Sequence, residues 1–440
     1  MKETKIFIGP MSKNIVDSVI EFSNNSGITL GLIPSRRQVE YDGGYVNNWK
    51  TLDFCEYVRS KTDKVLLVRD HSGPGQGYYE DDGIESFKND CKYFDVVHVD
   101  VWKEHQSYES GLQATVDFIN LGYSLNKNLT YEIGTEEAIR KFTHTEVSNL
   151  ISDLKSLLPK EIYDKIKYVV IQSGTALQGN TNIGTYNSDR LKKMINIIKK
   201  TNLISKEHNG DYLTRNLLRN KFNTGLDSIN VAPEFGQLET RVIIEEIKNI
   251  DVTLLDELFD ICLESRRWEK WVSPEFNPLE NKEELINICG HYVFSDKRFV
   301  NLKNKLGVNI DTKIKNVIKN KIQNMVEDSK INKNKLNVYF NRFSNKDITN
   351  LSSMFSDDVT LSDWDISVSG KADVIQANKN IFLSVDSIKV TPLNFYSNDD
   401  GTEFAVDIKI TINNKEILNV VDLISFNNEG LIHSIKAYKK

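Results

Sequence analysis

The sequence predicts an α/β protein: a (β/α)8 TIM barrel with a helical extension, followed by a smaller C-terminal α+β domain. Three observations carry this. Eight short apolar runs rich in β-branched residues alternate with longer helical stretches over the first 250 residues, the pattern of βα units on a parallel sheet. No G-x-G-x-x-G follows the first run, which makes an open dinucleotide-binding sheet the weaker reading. The 440 residues exceed the roughly 250 of one barrel, so at least two domains are expected.

The eight runs are residues 5–9 (KIFIG), 28–33 (ITLGLI), 64–69 (KVLLVR), 95–100 (DVVHVD), 129–134 (LTYEIG), 167–172 (KYVVIQ), 203–208 (LISKEH) and 228–233 (SINVAP). Helical candidates follow at 12–22, 51–59, 84–91, 110–120, 146–157, 188–199, 211–219 and 237–247, several opening on Ser, Thr or Asp in a capping position. From 251 to about 328 the strand signals vanish while helical periodicity continues through LLDELFDICLES, EELINICGHYVF and KIKNVIKNKIQNMVED. The expected division is therefore a barrel over 1–250, its helical extension over 251–334 and a third segment over 335–440, with the polar stretch 329–335 (SKINKNK) at the second boundary. In that last segment, helices at 336–343 and 348–354 precede strand candidates at 359–362, 388–396, 403–412, 416–425 and 431–437, an α+β order. Asp399-Asp400-Gly401 and Asn428-Glu429-Gly430 fit hairpin turns between them.

Composition excludes several function classes. With 56 Lys+Arg against 62 Asp+Glu the net charge is −6, so nothing global recruits nucleic acid or an anionic membrane. No apolar run reaches the length of a membrane span, and the opening MKETKIFIGP lacks a signal-peptide core, so a cytoplasmic location is expected. Cys55, Cys91, Cys262 and Cys289 are far apart and form no CxxC pair, which argues against a zinc ribbon or a disulfide framework.

In a barrel, chemistry gathers at the C-terminal ends of the strands. The runs end on Gly9-Pro10, Pro34-Ser35-Arg36-Arg37, Asp70-His71, Asp100, Glu132, Gln172, His208 and Glu234, a ring of acids, imidazoles and an amide that reads as an active site. His71 and His208 with Glu132 nearby suit a divalent ion, zinc being the usual choice for His/carboxylate ligation. Equally, the two histidines serve as substrate hydrogen-bond donors without metal. His98 lies within a strand and reads as a core histidine; His105, His144, His291 and His433 read as structural or solvated. The loop 35–49 (SRRQVEYDGGYVNNW) carries adjacent arginines, whose forks suit a phosphate or carboxylate. Salt bridges to local acids are the alternative. The glycine-rich loop 71–82 (HSGPGQGYYEDD) either closes over substrate or is a turn.

These residues resemble a family. Gln38-Val39 with Gly43-Gly44-Tyr45, Asp70-His71 with Gly73-Pro74, Glu132-Ile133-Gly134-Thr135-Glu136, and Glu207-His208 with Asp211-Tyr212 and Thr214-Arg215 are similar to the tagatose-bisphosphate aldolase non-catalytic subunit family, related to class II zinc-dependent ketose-bisphosphate aldolases. The resemblance covers roughly residues 28–250. It implies Asp70 as proton-transfer acid/base, His71 and His208 as zinc ligands, and Glu132 as an acid beside the metal. Gln172 stands where the catalytic aldolases have a ligand histidine, which implies a weaker zinc site, and the start IFIGPMSKN departs from the family's small-residue opening. The expected site is thus Asp70 and Glu132 for catalysis, His71, His208, Glu132 and Gln172 for metal, and Arg36, Arg37, Gln38, Asp100, Asp211 and Glu234 for substrate.

From Leu336, NVYFNRFSNKDITNLSSMFSDDVTLSDW, GKADVIQ and NEGLIHSIKAY resemble the cone-shaped α+β fold of SnoaL-like cyclases and nuclear transport factor. That implies a pocket or a dimerising sheet, with Phe340, Phe343, Phe355 and Trp364 in pocket or core. Asp363 and Asp365 are candidate pocket acids or turn formers, and an accessory or dimerisation role is favoured. Two functions are expected: metal-assisted aldol cleavage or C4 epimerisation of a phosphorylated or acidic sugar, or a non-catalytic subunit completing a separate aldolase. A homo-oligomer is expected, with neither nucleic acid nor membrane as partner.

Overall fold

The computed structural model describes residues 4–330, 332–398, 401–427 and 429–440. Asp399, Asp400 and Asn428, expected in hairpin turns, lie outside the described residues, as does Ile331 of the polar stretch. The chain divides into two compact units, Met1–Leu213 with Leu226–Val326, and Thr214–Gly225 with Glu327–Lys440.

The first unit is the expected barrel. Its strands are β1 (Ile6–Ile8), β2 (Leu30–Leu32), β3 (Val65–Ser72), β4 (Val96–Val99), β5 (Thr130–Ile133), β6 (Ile166–Ile171), β7 (Ile204–Glu207) and β8 (Ser228–Val231). They close in sequence order, every pair parallel. Phe7, Val68, Val96 and Tyr168 pack inside, with Leu66 and Ile204 against them. Gly31 makes room for this plug, because a Cβ there would lie 2.1 Å from the Phe7 ring. Helices run from Lys13–Ser26, Thr51–Arg59, Ile84–Tyr93, Tyr108–Leu125, His144–Leu157, Ser188–Ile198 and Pro233–Ile250, opened by side-chain caps such as Ser12, Ser107, Thr143 and Asn187. The helix after β7 begins at Arg215 rather than 211 and belongs to the second unit; Asp211 instead accepts the N–H groups of Ala232 and Glu234.

The extension holds helices Leu254–Ser265, Lys282–Cys289, Lys297–Lys305 and Ile310–Asp328. It is tied to the loop after β2, where Ser295 Oγ donates to the Tyr45 carbonyl at 2.7 Å. His291 packs its ring on Tyr292, centroids 4.1 Å apart, and burial holds it neutral, pushed down to about 3. The polar stretch 329–335 is not a free linker. Ser329 and Asn332 are buried, and Asn332 donates its backbone N–H to Asn223 Oδ1 and its side-chain amide to the Gly401 carbonyl. Composition alone cannot distinguish such buried amides from solvated ones.

The second unit has the expected α+β fold. Helices Asn332–Ser344, Ile348–Ser352 and Lys371–Ser384 accompany strands β9 (Phe355–Ser362), β10 (Ser367–Ser369), β11 (Ile388–Ser397), β12 (Glu403–Ile412), β13 (Glu416–Phe426) and β14 (Ile432–Lys439). The sheet order is β10-β9-β14-β13-β12-β11. It is antiparallel except for β9 with β14, a correction to the run of antiparallel strands expected. Phe340 and Phe355 are core. Phe343 and Trp364 line an apolar cavity of about 230 Å³, and Asp363 is a turn former that accepts the N–H groups of Asp365 and Ile366.

Candidate metal centre at the barrel mouth

The backbone at the end of β3 does unusual work. The β3–β4 register slips between Arg69 and Ser72, and His71 adopts φ +46°, a left-handed conformation rare outside glycine and asparagine. Bulges of this kind re-aim side chains. Gly73 lets the following loop approach the Asp100 carbonyl, 2.3 Å from where its Cβ would stand.

The result is a set of four convergent groups. Donor atoms of Asp70, His71, His98 and His208 all lie within 4.8 Å of one another. Asp70 Oδ1 is 3.7 Å from His71 Nε2, 3.6 Å from His98 Nδ1 and 3.5 Å from His208 Nδ1. Every opposite ring nitrogen is already engaged: His71 Nδ1 with Asp100 Oδ2 at 2.6 Å, His98 Nε2 with the Gly134 carbonyl at 3.0 Å, His208 Nε2 with Glu132 Oε1 at 2.7 Å. In His71 and His208 one nitrogen is held from behind and the other faces the common point, the arrangement that orients imidazoles for a metal, whereas His98 Nδ1 also takes the His71 backbone N–H at 3.3 Å.

Two further observations test the fit. Asp70 Oδ1 is buried without a hydrogen-bond partner. A tetrahedral ion with ligands at about 2.0–2.1 Å has donor–donor edges of about 3.4 Å, close to the spacings seen. Charge agrees, since among the described residues Asp70, Asp100, Glu132 and Glu136 face one cation, Lys206, besides the imidazoles. Burial would raise the Asp70 carboxyl, yet the imidazoles of His71, His208 and His98 hold it well below the usual carboxylate range. His71 is raised despite burial by Asp70, Asp100 and Glu136.

The predicted residues divide clearly. Asp70, His71 and His208 meet, with ring centroids of the two histidines 5.3 Å apart. Gln172 does not join them: its amide donates to the Thr135 and Arg140 carbonyls and accepts from Phe142 N–H and Arg190. Glu132 lies outside the donor group, fully buried between His208 and Lys206 Nζ at 2.6 Å. Asp100 is a buried anchor for His71 that also accepts from Thr135 Oγ1. Asp211 caps the Pro233–Ile250 helix, and Glu234 accepts from Tyr212 N–H and pairs with Lys321. Arg36 is 3% exposed and saturated by Glu40, Asp81 and the Gly73 carbonyl. Gln38 is spent on Ser35 N–H and Met11 Sδ. Of the substrate set, only Arg37 keeps its guanidinium free of carboxylates among the described residues, with Nε on the Gly77 carbonyl at 3.0 Å.

Two residues were missed, His98 and Glu136. His98 has the strand parity of Asp100, and in β4 that parity faces the barrel interior, where His98 pairs in register with Glu132. Glu136 Oε2 lies 3.6 Å from His71 Nε2 and is held by Asn209 Nδ2 at 2.7 Å.

No family model matches the chain. By sequence it is 22% identical over 334 residues to the D-tagatose-1,6-bisphosphate aldolase subunit GatZ of Salmonella dublin, covering 64% of this chain and 76% of that protein. By structure it is similar to a probable tagatose 6 phosphate kinase from Sinorhizobium meliloti 1021, with TM-score 0.62, 14% identity, and 74% and 99% of the two chains covered. A fructuronate-tagaturonate epimerase, UxaE, from Cohnella laeviribosi gives TM-score 0.54 at 11% identity, covering 74% of this chain and 81% of that one. In sequence the chain is thus similar to a tagatose-bisphosphate aldolase subunit, as its strand-end residues led us to expect, and in fold to barrels of these two kinds.

Proposed function

We propose that the barrel is a metal-dependent, class II aldolase-like catalyst acting on a phosphorylated or acidic ketose by retro-aldol cleavage or C4 epimerisation. The observation that carries this is the convergence of three oriented imidazoles on the unpartnered Asp70 oxygen. In this reading His71, His98 and His208 would hold a divalent ion, zinc by ligand type. The ion would supply Lewis-acid polarisation of the ketose carbonyl.

The chain's own groups do the rest. Asp70, whose Oδ1 faces the three ring nitrogens, takes the proton from the hydroxyl whose neighbouring carbon–carbon bond breaks and returns it on re-closure. Asp100, Gly134 and Glu132 fix the rings. Glu136 is the second carboxylate within reach of the same point. Cleavage and epimerisation share these steps and differ in whether the fragments leave or rotate. The alternative, a non-catalytic subunit of a separate aldolase, draws on the similarity to GatZ, which is named as a subunit.

Elemental analysis together with turnover on a panel of ketose phosphates and uronates tests the reading. One zinc per chain and turnover are expected, with Asp70→Asn keeping the metal and losing at least about 100-fold in kcat. Bound zinc without turnover favours the subunit role. Loss of zinc in Asp70→Asn would move Asp70 into the ligand set, and absence of zinc would end the metal reading.

A further inference from the structure

We propose that Arg37, Arg267 and Lys270 form an anion subsite that takes a phosphoryl dianion of the substrate; this rests on the ketose reading above and assigns the far end of that substrate. Arg37 comes from the loop after β2, and its Nε–H donates to the Gly77 carbonyl in the loop after β3. The next residue, Tyr78, carries the Arg267 guanidinium on its ring at 4.3 Å. Lys270 Nζ lies over Trp271 at 4.5 Å and Tyr292 at 5.4 Å, and Trp271 Nε1–H donates to Tyr292 Oη at 3.1 Å. Arg267 and Lys270 thus sit on aromatic rings, and Arg37 lies close enough for its charge to act on Tyr78, Tyr292 and Lys270.

None of the three has a carboxylate partner among the described residues. Arg36, next in sequence to Arg37, is neutralised by Glu40 and Asp81, and Glu269, next to Lys270, is taken by Arg266. Acids are therefore available nearby but directed elsewhere. Like charges assembled without a counterion repel, and Lys270 registers it: although the residue as a whole is exposed, loss of hydration around its ammonium and then Arg37 and Arg267 push it down to about 8. A bound anion relieves that repulsion. A phosphoryl dianion matches three cations better than a single carboxylate, and guanidinium forks grip it through paired N–H groups.

The subsite is connected to the metal centre through one loop. Gln76, adjacent to Gly77, donates to the Asp100 carbonyl at 3.3 Å, and the Asp100 side chain holds His71. A substrate anchored by its phosphoryl group at Arg37 thereby lies on the barrel face that carries the imidazoles.

The test uses the full chain stripped of metal by a chelator, so that metal cannot hold the probe. Methyl phosphate and acetate are titrated calorimetrically at pH 7. Methyl phosphate is expected to bind at least tenfold tighter than acetate. Arg37→Gln, Arg267→Gln and Lys270→Gln should each weaken it roughly tenfold or more, whereas Arg59→Gln, which removes a surface pair with Asp95, leaves it unchanged. No methyl phosphate binding, equal binding of acetate, or an Arg37→Gln/Arg267→Gln/Lys270→Gln chain that binds as the wild type would each overturn the proposal. Zinc titration of the same variants separates the two readings, because the metal centre is expected to load normally in all of them whatever the phosphate result.

Discussion

Glu132→Gln separates orientation from charge balance at the centre of the barrel. The carboxylate accepts from Lys206 Nζ at 2.6 Å and meets His208 Nε2 at 2.7 Å, with both Glu132 and Lys206 fully buried. The amide keeps the shape but removes the charge. For the metal, the loss is that of a group orienting a ligand imidazole, roughly 10–100-fold in affinity. For the fold, breaking a buried pair costs about 3–5 kcal/mol. The low end applies, because burial already lowers the Lys206 ammonium and allows it to shed its proton. Adding Lys206→Met removes the stranded amine beside the Phe7 ring, over which it lies at 3.8 Å. Urea unfolding of the metal-free chain should therefore show a loss of about 3 kcal/mol in the single variant, most of it regained in the double variant. Zinc competition against a chelator should show both variants equally weakened. Undiminished zinc affinity in Glu132→Gln, or recovery of affinity in the double variant, would refute the role given to Glu132.

The second unit supplies two more predictions. Asp422 faces the apolar cavity near Asp363, and burial pushes its carboxyl up to about 7. The folded state then keeps a proton that the unfolded state releases near pH 4, so stability falls as pH rises from about 4 to 7 and the penalty is complete above that. Asp422→Asn should match the wild type near pH 4 and be more stable at pH 8 by about 2–4 kcal/mol, followed by Trp364 fluorescence at the cavity in urea; equal stability at pH 8 would refute the buried acid. Residues 327–440 contain a core of their own, including Leu336, Phe355, Val374, Val406 and Ile432, and we expect them to unfold cooperatively when expressed alone. A fragment without a thermal transition would argue that Thr214–Gly225, grouped with this unit, is needed to complete it.

The barrel was legible because a parallel sheet covered on both faces leaves continuous apolar runs, and all eight runs became strands. The C-terminal strands were legible for a different reason, clear alternation, with Glu403–Ile412 found at both ends. The helix Lys371–Ser384 escaped notice: its apolar residues are half the helix but spread around it rather than gathered on one face, and only Val374, Ala377, Asn378 and Phe382 are buried. The parallel β9–β14 pair could not be read either, since sequence gives strand existence and leaves partner choice to the fold.

The site was only half legible, and the reason lies in what a strand end does. A residue just past a strand is chosen for its chemistry but aimed by loop geometry, so Asp100, Asp211 and Glu234 looked equivalent in sequence while serving three different purposes. Strand parity is the stronger guide. Residues 96, 98 and 100 share one side of β4, and in a closed barrel a histidine on the interior side, two positions from the mouth, has little apolar core left above it. His98 is therefore better read with the mouth than with the core. Lys206 carries the same signal, a charge on the interior side of β7 that is costly to bury unless another charge inside the barrel meets it. Glu132 meets it, and in doing so brings one carboxylate under both the lysine and His208. An interior lysine and an interior glutamate at matching depth on β7 and β5 thus mark a carboxylate whose second oxygen is free to orient an imidazole at the barrel mouth.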